Sequence, residues 1–233
     1  MAEFIYSGKE ELENSLSMPR YNGHIAGLFS QYIKNDDRVL DYGAGIGVIT
    51  DIVRDNTKVL PICFEIDAAQ KEWLQSKGYK VHSAISSLKT EKPFQVIFSS
   101  NVLEHIPDDV EALKNIYSLL DQNGVFVTWV PAFECIWTKM DDRVGHLRRY
   151  KKSTLTGKLT QAGFIVEHAY YQDSLGFFLS WLFKFIGNSE GQASKGSLKL
   201  FDTCIFPLSK ILDHGLRYFL GKNVVAIARK PSR

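Results

Sequence analysis

The sequence predicts an α/β fold: a seven-stranded, mostly parallel sheet with helices on both faces and a helical insert before the last strand. Three observations predict it. Short apolar runs alternate with longer helical patterns. A glycine-rich turn follows the first of these runs. The 233 residues, 45% of them hydrophobic, are enough for a sizeable core in one domain.

Residues 1–37 read as a helical lead-in, polar first and amphipathic over 21–33. Residues 38–171 form the core. Its β-branched runs at 38–40, 58–64, 79–81, 94–99 and 125–130 read as strands, and 68–77 and 109–120 as helices between them. Gln122-Asn123-Gly124 is a helix stop before the fifth strand. A helix at 153–162, ended by Gly163, leads into a strand at 164–171. Residues 172–222 read as a helical cover. They hold an aromatic run at 175–186, a Gly/Ser/Asn-rich link at 187–197 with the composition of a hinge, and a helical stretch at 200–220. In that stretch Leu200, Cys204, Leu208, Ile211, Leu212, Leu216 and Phe219 share one face, and Asp202, Lys210, Asp213 and Arg217 fall elsewhere. Pro207 should kink or restart the helix. Residues 223–233 hold the last strand, at 224–228, and the tail. No internal repeat is visible.

A net charge of +2 gives no reason to expect nucleic acid as a partner. Cys63, Cys135 and Cys204 are scattered and odd in number, without zinc-ligand spacing, as in a reducing compartment. The start, Met1-Ala2-Glu3-Phe4, lacks the basic and apolar regions of a signal peptide. No apolar run reaches the ~18 residues of a membrane span. A cytoplasmic location is expected.

The strongest signal is Val39-Leu40-Asp41-Tyr42-Gly43-Ala44-Gly45-Ile46-Gly47. A buried strand enters a turn whose glycines permit sharp bending and close ligand approach. Asp41, at the end of the strand, would repel a pyrophosphate but suits a ligand with an amino group and a sulfonium. The last glycine comes one position early for a dinucleotide loop, where Val48 stands. Glu65 follows about twenty residues on, where an acid accepts hydrogen bonds from ribose hydroxyls.

These residues, with Phe64-Glu65-Ile66-Asp67 and Phe94-Gln95-Val96-Ile97-Phe98-Ser99-Ser100-Asn101-Val102-Leu103-Glu104-His105-Ile106, resemble the class I S-adenosylmethionine-dependent methyltransferases over residues 20–170. The resemblance implies a Rossmann-like sheet whose last strand runs antiparallel between the fifth and sixth. It implies S-adenosyl-L-methionine as cofactor and S-adenosyl-L-homocysteine as product. Asp41, Gly43, Ala44, Gly45 and Gly47 would meet the methionine part, and Glu65 the ribose. Ala84 and Ile85 would flank the adenine, with Asn101, Val102 and Tyr21 also against the cofactor. Many members carry an acid where this chain has Ala84, so adenine contact would rest on backbone groups and Ile66.

Two segments put reactive side chains at the carboxyl ends of the strands: Asn101-Val102-Leu103-Glu104-His105 and Asp141-Asp142-Arg143-Val144-Gly145-His146-Leu147-Arg148-Arg149-Tyr150. Methyl transfer needs orientation and, for a hydroxyl acceptor, a base. His146 and His105 are the candidate bases. Arg148 and Arg149 either clamp an anionic acceptor or pair with Asp141 and Asp142 to fasten the loop. No metal is assigned; the paired aspartates with a histidine are the alternative, as a magnesium site.

The second segment, with Val130-Pro131-Ala132, Arg20-Tyr21-Asn22 and Asp173-Ser174-Leu175-Gly176, is similar to a bacterial methyltransferase group with a GHxRRY-type motif after the fifth strand, often associated with glycosyltransferases. That group leaves the acceptor open; the leading reading is a small-molecule or lipid- or glycan-linked acceptor, methylated at oxygen in preference to nitrogen or carbon. The aromatic run at 175–186 is a cover on the sheet, a homodimer contact, or a peripheral membrane contact helped by Lys184, Lys199, Lys210, Arg217 and Lys222. The competing readings are a prenyl-quinone-type O-methyltransferase, a non-catalytic cofactor-binding protein, and a nicotinamide-dependent oxidoreductase. Asp41 and the glycine spacing argue against the last, and Tyr218 and Lys222 come too late for its Tyr-x-x-x-Lys pair.

Overall fold

A computed structural model describes residues 16–186 and 194–232. After helix α1 (Pro19–Ser30) come β1 (Val39–Tyr42), α2 (Val48–Thr57), β2 (Ile62–Phe64), α3 (Ala68–Ser76), β3 (Val81–His82), α4 (Ile85–Leu88), β4 (Phe94–Ser100), α5 (Asp109–Leu119) and β5 (Leu120–Pro131). Then follow α6 (Lys139–Val144), α7 (Lys152–Gln161), β6 (Ile165–Gln172), α8 (Ser174–Ile186), α9 (Lys195–Leu200), α10 (Phe206–Leu216) and β7 (Asn223–Arg229). The sheet order is β3-β2-β1-β4-β5-β7-β6. The first five strands pair in parallel, and β7 runs antiparallel between β5 and β6. The expected fold class is the one observed.

The inner strands are mostly apolar because both faces are covered. Leu40, Ile97 and Phe126 point into one core with Leu113, Ile116 and Leu159 of the helices. Their neighbours Val39, Phe98 and Val127 point into the other with Ile25, Phe29 and Val53. Removing a side chain as large and buried as Phe98 costs about 3–5 kcal/mol.

Several boundaries differ from expectation. Of the lead-in, residues 1–15 lie outside the described residues, and the helix stops at Ser30 rather than Ile33. β2 starts at Ile62, not Lys58, because Lys58 closes α2 in a left-handed conformation. β3 is Val81–His82, after Tyr79 has entered the core beside Leu74. Gln122-Asn123-Gly124 stops no helix: α5 ends at Leu119 and the chain is already paired with β4 at Leu120. Of the link at 187–197, residues 187–193 lie outside the described residues, and Ser194 caps α9.

The apolar face expected at 200–220 turns outward. Ile211 is 67% and Phe219 74% exposed, and Leu200, Leu208 and Leu212 are also exposed. Asp202, Ser209 and Asp213 point inward instead. Asp202 accepts the backbone N–H groups of Arg20 (3.2 Å) and Tyr21 (2.8 Å) at the start of α1. Asp213 accepts those of Asp173 (2.8 Å) and Ser174 (2.9 Å) at the start of α8. Helix N-termini carry unpaired donors and partial positive charge, so they draw the acids in. As expected, the helix restarts at Pro207: a π-helical turn over Phe201–Ile205 absorbs the break and α10 follows.

Candidate active site

The strand order reverses between β1 and β4, and sheets of this kind bind ligands in the crevice at that point. The glycine loop fills its floor. Gly43 and Ala44 donate to the Phe64 carbonyl (2.8 and 3.1 Å), and Gly45 donates to Glu65 Oε2 (2.8 Å). Loop and acid are therefore one unit, and Asp67 N–H (2.9 Å) holds the other Glu65 oxygen. Gly43 has φ +87°, and a Cβ there would lie 2.4 Å from Val102 Cγ2. Only glycine meets both demands, so the loop fits under the end of β4. Gly47 opens α2 at φ +82°.

Asp41 is buried beneath the loop and accepts from Thr50 Oγ1 (2.6 Å). Burial pushes its carboxyl up to about 7, against the Thr50 bond and with help from the Glu65 charge. Burial likewise raises Glu65. Ile66 and Ala84 are exposed at the ends of β2 and β3, and Ile85 is half-buried. Asn101 is exposed, with φ +53°, and is tied through its N–H to the Trp129 carbonyl (2.8 Å).

The acceptor-side residues converge on Asp141, which is 1% exposed. It closes a capping box with Thr138 at the start of α6. Its carboxylate accepts from His146 Nδ1 (2.7 Å) and from Arg149 Nε (2.8 Å) and Nη2 (2.9 Å). Burial alone would raise its pKa, but these hydrogen bonds hold it well below the usual carboxylate range. His105 stands beside His146 with ring centroids 4.8 Å apart, and its Nδ1 faces the Gly145 carbonyl (3.3 Å). Burial, with the neighbouring His146, pushes His105 down to about 4.

The Arg149 side chain donates inward, to Asp141 and to the Ala132 carbonyl (3.1 Å), and its backbone N–H donates to Glu134 Oε1 (2.7 Å). Arg148 is apart from this network. It donates to the Ile106 and Pro107 carbonyls (2.7 and 2.9 Å) and pairs with Asp109 (3.0 Å). Both arginines therefore fasten the segment, and a phosphate clamp would have to break those bonds. Tyr21 packs against Trp129 and Phe206, under the insert, and its hydroxyl accepts from Asn223 Nδ2 (2.7 Å).

Glu104 is the residue that sequence reasoning passed over. It is 0% exposed, and its two carboxylate oxygens accept no hydrogen bond from another of the described residues. Burial pushes it up to about 8. His146 Nε2 lies 3.7 Å from its Oε1. The available signal was an acid inside an apolar stretch, Val102-Leu103-Glu104-His105-Ile106, on the turn that leaves β4.

A family model described as "Methyltransferase domain" matches residues 17–169. No functionally characterised sequence matches the chain. Among solved structures, a SAM-dependent methyltransferase from Archaeoglobus fulgidus is 20% identical, with 91% of this chain and 94% of that one covered at a TM-score of 0.61. A SAM-dependent methyltransferase from Thermotoga maritima is 15% identical, with 96% and 98% covered at 0.63. Phosphoethanolamine N-methyltransferase 2 of Haemonchus contortus, solved with S-adenosyl-L-methionine, is 14% identical, with 90% and 53% covered at 0.57.

Proposed function

Because the chain belongs to the methyltransferase-domain family, we propose that it moves a methyl group from S-adenosyl-L-methionine to an oxygen of a small or lipid-linked acceptor. The loop from Gly43 to Gly47, with Asp41 and Glu65, receives the cofactor. Its ammonium and sulfonium suit Asp41, and its ribose hydroxyls suit Glu65. Ile66, Ala84 and Ile85 face the adenine side.

One observation carries the oxygen acceptor. An imidazole held by a buried carboxylate stands beside Glu104, two residues beyond the Val102 that packs on the loop. The acceptor's O–H proton leaves at this cluster. Its oxygen then bonds to the methyl carbon while the C–S bond breaks, its pair going to sulfur. Asp141 and Arg149 position His146, and Arg148 fastens the segment.

A lipid-linked acceptor is favoured by the insert. α8 and α10 pack together, and both leave large apolar side chains on the surface: Phe178, Trp181, Leu182 and Phe183 on α8, and Leu208, Ile211 and Leu212 on α10. Lys195, Lys199 and Lys210 are exposed in the same insert, a combination that suits an anionic lipid surface. Among the described residues no helix is long and apolar enough to cross a membrane. On this reading the protein works from the cytoplasm at a membrane surface. A second copy of the chain over the same face is the rival use.

Calorimetric titration with S-adenosyl-L-methionine and its demethylated product tests the cofactor, with NAD as control and Glu65→Ala alongside. Micromolar binding of both sulfur ligands, weakened by the substitution, is expected; binding of NAD instead would overturn the reading. Labelled methyl transfer into the lipid and aqueous fractions of a cell extract then tests the acceptor class. Label in aqueous products alone would remove the lipid-linked version.

A further inference from the structure

Glu104, His105 and His146 each offer one ligand-capable atom, and these atoms lie within 4.8 Å of one another. The chain takes trouble to bring them together. The turn over Leu103–His105 follows β4, while His146 follows α6. Leu147 N–H donates to the Glu104 carbonyl (2.9 Å), which locks the two segments side by side.

The orientation of the two rings is set by their neighbours. His146 Nδ1 faces a carboxylate oxygen of Asp141 at 2.7 Å, and His105 Nδ1 faces the Gly145 carbonyl at 3.3 Å. Both partners only accept, so each Nδ1 carries a proton and the lone pair of each neutral ring sits on Nε2. A histidine that gives its Nδ1–H to a carboxylate while turning Nε2 elsewhere has the arrangement of a metal-bound imidazole. Beside these rings, the carboxyl of Glu104 is wholly buried and takes no hydrogen bond from another of the described residues, with His146 Nε2 at 3.7 Å. A buried carboxyl without donors keeps a proton or takes a cation in its place.

We infer that Glu104, His105 and His146 hold a divalent transition-metal ion that binds the acceptor's oxygen. Metal–ligand distances of about 2.0–2.2 Å set tetrahedral ligand atoms roughly 3.4 Å apart, so the Glu104–His146 spacing already fits and side-chain rotation brings His105 in. Two imidazoles and one carboxylate suit zinc, iron, cobalt or nickel and leave positions open. An acceptor hydroxyl bound there loses its proton to solvent, since a metal lowers the pKa of bound oxygen. Its oxygen then takes the methyl carbon, and the C–S pair stays on sulfur. This rests on the acceptor-side reading of the rim, but metal binding is measurable without any acceptor.

The test uses the full chain, stripped with chelator and titrated with cobalt(II) while the visible ligand-field spectrum is followed. Cys135→Ser and Cys204→Ser are present throughout, because both thiols are exposed. One cobalt per chain is expected, with the spectrum lost in Glu104→Gln and in His146→Asn and affinity about 10- to 100-fold weaker in Asp141→Asn. Binding of S-adenosyl-L-methionine, measured on every variant, reports an intact fold. If Glu104→Gln alone fails to fold, His146→Asn decides. No cobalt uptake by the parent chain, or uptake unchanged in the folded variants, overturns the metal site and leaves the methyltransferase reading standing. Failure of the cofactor to bind the parent chain would instead strike that reading, with the cobalt result unaffected.

Discussion

On the proposed cofactor site, Asp41 ties binding to pH. Burial holds its carboxyl at about 7, against about 3.9 in an unfolded chain. Between those values the native chain keeps a proton that the unfolded chain has released. Stability therefore falls as pH rises through this window, by roughly 4 kcal/mol in total, and the slope ends near pH 7. A bound ligand with a positive ammonium and sulfonium favours the ionised form, so cofactor binding expels this proton. Affinity for S-adenosyl-L-methionine should rise by up to tenfold per pH unit below about 7 and level off above it. Calorimetry on either side of pH 7, in buffers of different ionisation enthalpy, counts the proton released. Asp41→Asn should flatten the profile, and an unchanged slope in that variant would assign the proton to another group. Asp41 was legible in the sequence because its place before the glycines is local. Its bond to Thr50 is also local, nine residues on, and follows from the first turn of α2. Glu104 was not legible: its meaning comes from His146, forty-two positions away, and from a burial that no periodicity reports.

The inner strands and the helices between them were readable because hydrophobic burial imposes their period directly. β1, β4 and β7 appear within two residues of expectation. The insert was legible only in part, for an equally physical reason. A periodic pattern tells which residues share a face but not which way the face points, and the default is apolar inward. In α10 the inward side is instead chosen by donors at the starts of α1 and α8, which lie 182 and 40 positions from the acids that meet them. This predicts an inverted response to mutation. Asp213→Ala leaves the N–H groups of Asp173 and Ser174 buried without their acceptor, and it should cost about 1–3 kcal/mol in urea unfolding. A cost near zero would mean that α8 is held by its packing alone.

At the scale of the whole molecule, the exposed apolar residues Ile211 and Phe219 should contribute little to folding. Exposed substitutions cost within about 0.5 kcal/mol. Ile211→Glu with Phe219→Glu should therefore leave the melting temperature and cofactor affinity where they are, although both replace large apolar groups by charges. The same pair should matter at a membrane. Each side chain is worth about 1.5–3 kcal/mol when moved from water into an apolar phase, so losing both should weaken partition onto anionic vesicles by roughly 100-fold or more. Salt should weaken the parent protein's binding as it screens Lys199 and Lys210, and neutral vesicles should capture less. Vesicle flotation of parent and double variant, read beside their melting curves, separates three uses of one surface. Lost flotation with an unchanged melting curve supports the membrane. Neither protein floating, with the parent heavier in light scattering, supports a second copy. A collapsed melting curve would mean that the face belongs to the core after all, and that the acids at Asp202 and Asp213 do not set the direction of the helix.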